Sequence, residues 1–393
     1  MEPRDTNGSI ARNQRIFLLG ASPSLTNGQM TTDEADLVKL SAEEKLTRSG
    51  GNSGNQVIAY GLLKTISFEA VSWDYSIGPA RANDEYDLLL IAAANFLHEG
   101  FDFGHMASFI EATKLPCIMV GVGAQSSDYS TDIRLKPGTD RLMRVVSERS
   151  NLIGVRGAFT ADVLNKMGIR NLQVTGCPSY YMNCKPSLEI RKPPLHPHAR
   201  LLINSSRDVV SHSFDRERMI SVVCQLLALA IERNADFVPQ SELPEISISE
   251  TRDPEVVQRY IKQILDAFPF YESVADRTIM DQWFNRHMRA LWDVPNWYRE
   301  MKNYDFVLGN RFHGNMMALQ AGTPACVICH DTRTTEMCEF FGLPFVGLQN
   351  IDRVDVADLY SLVDPAAINS RYQFLYRQYK QFLQDNKLDA VLE

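Results

Sequence analysis

The stretch 304–330, YDFVLGNRFHGNMMALQAGTPACVICH, constrains the fold of this chain more than any other. Two short apolar runs, 305–308 and 325–329, read as buried strands, and 315–321 between them reads as a helix stopped by Gly322 and Pro324. Together they make a βαβ unit, whose strands lie parallel with the helix packed on one face. Arg311 and His313 then fall where the first strand ends and the helix begins. Open α/β sheets bind ligands along that edge, and the free N–H groups of a helix start favour an anion there.

The same alternation runs through the rest of the chain. In the first half, strands are expected at 15–21, 70–75, 86–92, 116–122, 153–155 and 172–174, with helices at 56–66, 103–113, 139–148 and 158–167. After a proline-rich connector, strands at 201–204, 236–238 and 345–348 join the central unit, with helices at 216–232, 254–267, 281–292, 297–302, 335–341, 354–363 and 366–384. Such alternation predicts an α/β fold of two Rossmann-like, doubly wound domains facing a cleft. A length of 393 residues suits two domains of roughly 150 to 200 residues each. The expected boundaries are a disordered tail at 1–14, an N-terminal domain at 15–184, a linker at 185–199, a C-terminal domain at 200–350, and helices at 351–393 that can pack back on the N-terminal domain.

Composition removes several function classes. No apolar run approaches the ~18 residues that a membrane span needs. A formal charge of −8, without clustered Lys and Arg, argues against nucleic-acid binding, so an acidic ligand must be met by individual arginines. The polar start MEPRDTNGSIARNQR lacks a secretory pattern, and seven scattered cysteines suit reduced thiols; both point to the cytoplasm. Cys326 and Cys329 form a CxxC spacing with no second pair at zinc-site distance, and His196 and His198 read as solvated connector residues. No metal and no cofactor are expected.

Several junctions supply candidate ligand contacts. The glycine-rich turn 49–55 carries Asn52, Gly54 and Asn55 before a helix, where backbone amides can approach a phosphate or sugar; a loop with polar caps is the alternative. Gly123 lies just past the strand at 116–122, and Arg156 and Gly157 end the strand at 153–155, the same kind of position that carries Arg311, His313, Gly314 and Asn315. Arg207 is a further candidate. His330, Asp331 and Arg333 either line the cleft or sit in a solvated loop. Trp283, Phe284, Trp292, Trp297 and Tyr298 could stack on a sugar, although helical spacing suits core packing better.

The run 309–315 (GNRFHGN), followed by Ala318-Leu319, Gly322-Thr-Pro324, His330-Asp-Thr-Arg333, Glu336 and Gly342-Leu-Pro344, resembles the C-terminal signature of the polysaccharide pyruvyl transferase family. Two further blocks resemble it in the expected order: Gly51-Asn-Ser-Gly-Asn55, and Val155-Arg-Gly157 leading to Gly168 and Val174-Thr-Gly-Cys-Pro-Ser179. The resemblance spans about residues 15–350 and implies a GT-B-like fold. It also implies transfer of a pyruvyl group from phosphoenolpyruvate onto two hydroxyls of a sugar, as a cyclic ketal, in surface polysaccharide or glycan assembly. Carried over residue by residue, it makes Arg311 and His313 catalytic and Arg156 an anion clamp. One departure stands out: where the family commonly has Asp-Pro-Ala, this chain has Cys177-Pro178-Ser179.

The chemistry is compatible with that role. Arginine forks bind a carboxylate and a phosphate bidentately, and a histidine near neutral pKa can exchange the protons that ketal formation moves. The implied partners are phosphoenolpyruvate and a sugar, lipid-linked or polymeric acceptor, with at most peripheral membrane association. Two alternatives stay open: a GT-B glycosyltransferase using a nucleotide sugar, and a non-catalytic glycan-binding relative, which the cysteine at 177 keeps in play.

Overall fold

The computed structural model describes residues 14–393 except 127 and 252, so the tail expected at 1–14 lies outside the described residues but for Gln14. The α/β, doubly wound expectation is met by two parallel sheets. In the first half, β1 (Arg15–Gly20), β2 (Ala70–Ser72), β3 (Leu88–Ala92) and β4 (Cys117–Val120) pair in the order β2-β1-β3-β4. A bridge from Val122 to Val155 splices on β5 (Ile153–Val155) and β6 (Leu172–Val174). In the second half, β7 (Leu201–Asn204), β8 (Asp236–Phe237), β9 (Phe306–Gly309), β10 (Ala325–Cys329) and β11 (Phe345–Gly347) run in the order β11-β10-β9-β7-β8.

Each order reverses direction once, between β1 and β3 in the first sheet and between β7 and β9 in the second. A glycine sits at each reversal because the backbones come too close for a side chain. A Cβ at Gly20, with φ +84°, would stand 2.5 Å from the Ala92 carbonyl oxygen, and one at Gly309, with φ +148°, 2.0 Å from that of Asn204. Crevices of this kind, beyond the strand ends, are where doubly wound sheets receive ligands.

The strands β3, β9 and β10 are buried on both faces, which explains their continuous apolar runs. One hydrophobic cluster joins the halves: Leu18 and Leu90 of the first sheet, Val57 and Leu62 of the helix Gly54–Lys64, and Val307 and Ile328 of the second sheet belong to it. Trp283, Phe284 and Trp297 are buried in the same cluster, so their surfaces are spent on packing. The helix Pro365–Asp385 reaches across to the first half, where Tyr379 meets Thr65 at 3.3 Å and Asn151 donates to the Asp385 carbonyl at 2.9 Å.

The connector differs from a free linker. Arg191 N–H donates to the Gly322 carbonyl at 2.9 Å, Leu188 N–H to Asn369 at 2.9 Å, and Lys192 Nζ to the Val363 carbonyl at 2.6 Å. Four of its fifteen residues are prolines, which keep it out of the sheets, and these donors tie it to the body of the protein instead. His196 and His198 are exposed.

Candidate active site

His313 lies in the first turn of the helix Phe312–Ala321, which follows β9 directly and ends at Gly322 in the left-handed conformation. No side chain caps the start of that helix, so its first N–H groups face the crevice. The start of the helix Gly54–Lys64 of the first half approaches the same point, with its Gly54 N–H donated to Asn52 Oδ1 at 2.8 Å. A Cβ at Gly54 would stand 3.0 Å from His313 Nδ1, 2.8 Å from Gln240 Oε1 and 3.1 Å from Asn52 Oδ1. Two helix starts, one from each half, therefore converge on one imidazole.

Three guanidiniums act on that imidazole. Burial and, after it, the charges of Arg156, Arg333 and Arg311 hold the His313 pKa well below 6.5, so the ring is neutral at pH 7. Arg156, 2% exposed, follows β5 and donates through Nε to the Gly121 carbonyl at 2.8 Å. Arg311 belongs to the other half; its Nη2 donates to Ser206 Oγ at 2.5 Å and to Ser241 Oγ, and lies 3.7 Å from Glu242. Arg333 follows β10 and pairs with Asp331 at 3.1 Å. Burial lowers the pKa of both Arg156 and Arg311, a measure of how poorly water serves these charges.

Unsatisfied donors lie in this cluster. Among the described residues, Arg311 Nε, Arg333 Nε and Gln240 Nε2 are buried without a hydrogen-bond partner. A buried orphan polar group costs ~1–3 kcal/mol. A cleft that keeps several, next to three cations and one open helix start, suits an anionic, oxygen-rich ligand. His330 is 1% exposed and burial drives its pKa to about 4, whereas the Arg333 and His330 charges hold Asp331 at about 2 against the penalty of burial.

The other residues singled out in the sequence fall into two groups. Gly123, Gly157 and Gly314 mark places where no side chain fits: a Cβ would stand 2.6 Å from Arg156 Cδ, 2.4 Å from Glu336 Oε2 and 2.7 Å from Asn204 Cγ respectively. Asn315 and Asn55 turn their amide nitrogens to the protein's own backbone. Asn315 is fully buried and its amide donates to the Gly309 and Arg311 carbonyls at 3.1 and 3.0 Å, bracing the turn that carries Arg311. Asn55 donates to the Ser49 carbonyl at 3.1 Å, and Asn52 accepts from Gly54 N–H at 2.8 Å, so both shape the glycine-rich turn. Arg207 is committed to Glu245 at 2.8 Å and is no free clamp.

Sequence reasoning left Arg333 undecided and did not single out Gln240 or Ser206. The strand-end rule that pointed to Arg311 reaches all three, since Ser206 follows β7, Gln240 follows β8 and Arg333 follows β10. Cys177 was noted only as a departure, yet its Sγ lies 3.5 Å from His313 Nε2.

The sequence pattern that defines polysaccharide pyruvyl transferases matches residues 52–332, which takes in both helix starts, Arg156, Cys177, Arg311 and His313. The chain belongs to the polysaccharide pyruvyl transferase family. No curated protein sequence matches it. Among solved structures, it is similar to the UDP-GlcNAc 2-epimerase of Neisseria meningitidis bound to UDP-GlcNAc, at 16% identity and a TM-score of 0.40, over 87% of this chain and 82% of that one. The UDP-N-acetylglucosamine 2-epimerase of Rickettsia bellii shows 12% identity and a TM-score of 0.42, over 94% and 95%. At TM-scores this low the likenesses bear on neither substrate nor chemistry. Within this pyruvyl transferase family member, no helix among the described residues is long and apolar enough to cross a membrane.

Proposed function

We propose that this cleft transfers the pyruvyl group of phosphoenolpyruvate onto two hydroxyls of a sugar, releasing phosphate and leaving a cyclic ketal. The observation that carries the reading is the neutral His313 ring set among Arg156, Arg311 and Arg333 in a chain of this family. Phosphoenolpyruvate carries a carboxylate and a phosphate on one carbon, which suits several guanidiniums better than one. The uncapped start of the helix Phe312–Ala321 adds N–H donors for the phosphate oxygens.

The reaction follows from the resting state of the imidazole. A neutral ring accepts a proton, so His313 takes one from the first sugar hydroxyl as that oxygen bonds to the central carbon of the donor. The electron pair of the C=C bond takes that proton back from His313 at the methylene carbon, which becomes a methyl. The bond to the phosphate oxygen then breaks, phosphate leaves with the pair, and the second hydroxyl bonds to the same carbon as its proton passes to the departing phosphate. Bound donor offsets the three guanidiniums, which raises the proton affinity of His313 when it must hold a proton. The arginines stabilise the departing phosphate.

A thermal-shift comparison tests the reading, with phosphoenolpyruvate set against UDP, GDP and their sugars. A ligand at about 100 times its Kd adds ~2.7 kcal/mol and moves the midpoint by a few degrees. Stabilisation by phosphoenolpyruvate, lost in Arg311→Ala and Arg156→Ala, is expected. Stabilisation by a nucleotide sugar in its place would sink the pyruvyl-transfer reading.

A further inference from the structure

Cys177 stands immediately after Gly176, where a Cβ would run into the Phe341 ring, and it is fully buried against the His313 side of the cleft. Its sulfur is 3.5 Å from His313 Nε2 and accepts a hydrogen bond from Ser179 Oγ at 3.0 Å. Arg156 also lies within electrostatic reach of it. The sulfur already accepts one hydrogen bond, and the direction of its contact with Nε2 follows the tautomer of the ring. The other ring nitrogen, Nδ1, has no hydrogen-bond partner among the described residues and faces Gly54, with Gln240 Oε1 and Asn52 Oδ1 beside it. The Gln240 amide nitrogen is itself buried and unpartnered.

We propose that Cys177 is a positioning residue that holds the His313 ring with its proton on Nε2, so that Nδ1 is the proton acceptor and serves a hydroxyl held on the Gln240 face. A neutral imidazole carries one proton, and the hydrogen bond made by one nitrogen decides the state of the other. With Nε2–H directed to sulfur, the lone pair of Nδ1 faces the Gly54 side of the cleft, beside Gln240 Oε1 and Asn52 Oδ1. A sugar hydroxyl there donates to Nδ1, which orients its oxygen for attack. The tautomer is independent of the substrate; only the use made of it rests on the pyruvyl-transfer reading.

The test is 15N spectroscopy of the imidazole rings in the full chain, with the His313 signals assigned from a His313→Asn variant. Wild type and Cys177→Asp, which retains a pure acceptor, are expected to show the Nε2-protonated form; Cys177→Ala is expected to show a mixture of both. An Nδ1-protonated ring in wild type, or identical spectra for wild type and Cys177→Ala, overturns the proposal. Should Cys177→Ala not fold, Cys177→Val gives the same comparison, since it fills the volume and also carries no acceptor. A retained phosphoenolpyruvate thermal shift in these variants separates a tautomer effect from a damaged donor site. With an acceptor in hand, Cys177→Ala should lower kcat by about 10-fold to 100-fold with KM for phosphoenolpyruvate nearly unchanged, and Cys177→Asp should recover it. Gln240→Leu should instead raise KM for the acceptor. Absence of any phosphoenolpyruvate binding by wild type would refute the functional reading and leave the tautomer result standing.

Discussion

Glu336, on the helix Thr332–Phe341, accepts two hydrogen bonds from Thr160, on the helix Ala158–Lys166 of the other half: 2.7 Å from the hydroxyl and 3.1 Å from the backbone N–H. Ser126 and Thr332 add a second tie, N–H to hydroxyl, at 3.0 Å, and Gln125 donates to Asp331 at 3.2 Å. These contacts cross the cleft beside Arg156 and fix how far apart the arginines of the two halves stand.

Burial lifts the Glu336 pKa to about 7, with the Thr160 hydrogen bonds pulling the other way. A carboxyl whose folded pKa exceeds its unfolded value of 4.5 contributes stability that is complete below pH 4.5 and is lost as pH rises through about 7. The shift corresponds to about 3 kcal/mol, on a side chain that is 6% exposed. Glu336→Gln should therefore flatten the dependence of unfolding free energy on pH between 4.5 and 7 in denaturant titrations. An unchanged slope would show that Glu336 titrates normally.

Histidines set the opposite limb. His330 and His313 have folded pKa values below 6.5, so the unfolded chain takes up their protons first and stability falls as pH drops below 6.5, for His330 down to about 4. In His330→Asn the number of protons taken up on unfolding at pH 5 should be smaller by about one. Equal proton uptake in the two proteins would count against a buried neutral His330.

His313→Ala is expected to cost 10² to 10⁴ in turnover, the usual worth of a positioned proton-transfer group. The phosphoenolpyruvate thermal shift should persist, since the guanidiniums remain. Near wild-type turnover would remove His313 from the chemistry.

Arg333→Ala should weaken phosphoenolpyruvate binding as Arg311→Ala does, and Arg333→Lys should recover little, because a point charge cannot replace a planar fork with an unpartnered Nε. Isothermal titration of the three proteins decides this. Full recovery by lysine would make the contribution one of charge alone.

Activity should survive a chelator. Among the described residues, no three His, Cys, Asp or Glu side chains come together in a way that could hold a metal ion. Loss of turnover with EDTA, restored by a divalent ion, would contradict this.

Much of the architecture was legible because apolar periodicity and turn residues are local signals. The helices Arg216–Glu232 and Pro254–Ala267 begin and end where their periodicity does, each opened by an aspartate whose side chain caps the first turn. The unit from β9 to β10 was equally plain, with Gly322 in the left-handed conformation at the helix end. Strand ends were less sharp. The run expected as a strand at 70–75 pairs only over Ala70–Ser72, because β2 is an edge strand with a single neighbour.

What the sequence determined by itself is the order of strands and helices, the strand-end placement of Arg156, Arg311 and His313, and the family signature, all written in short contiguous runs. Only the tertiary structure decided that Cys177 touches His313 across 136 positions, that Arg207 is neutralised by Glu245, and that Arg333 joins the arginines around the imidazole. The physical reason is that burial, charge and hydrogen bonding depend on distance in space, and the two sheets bring together residues that no local pattern relates.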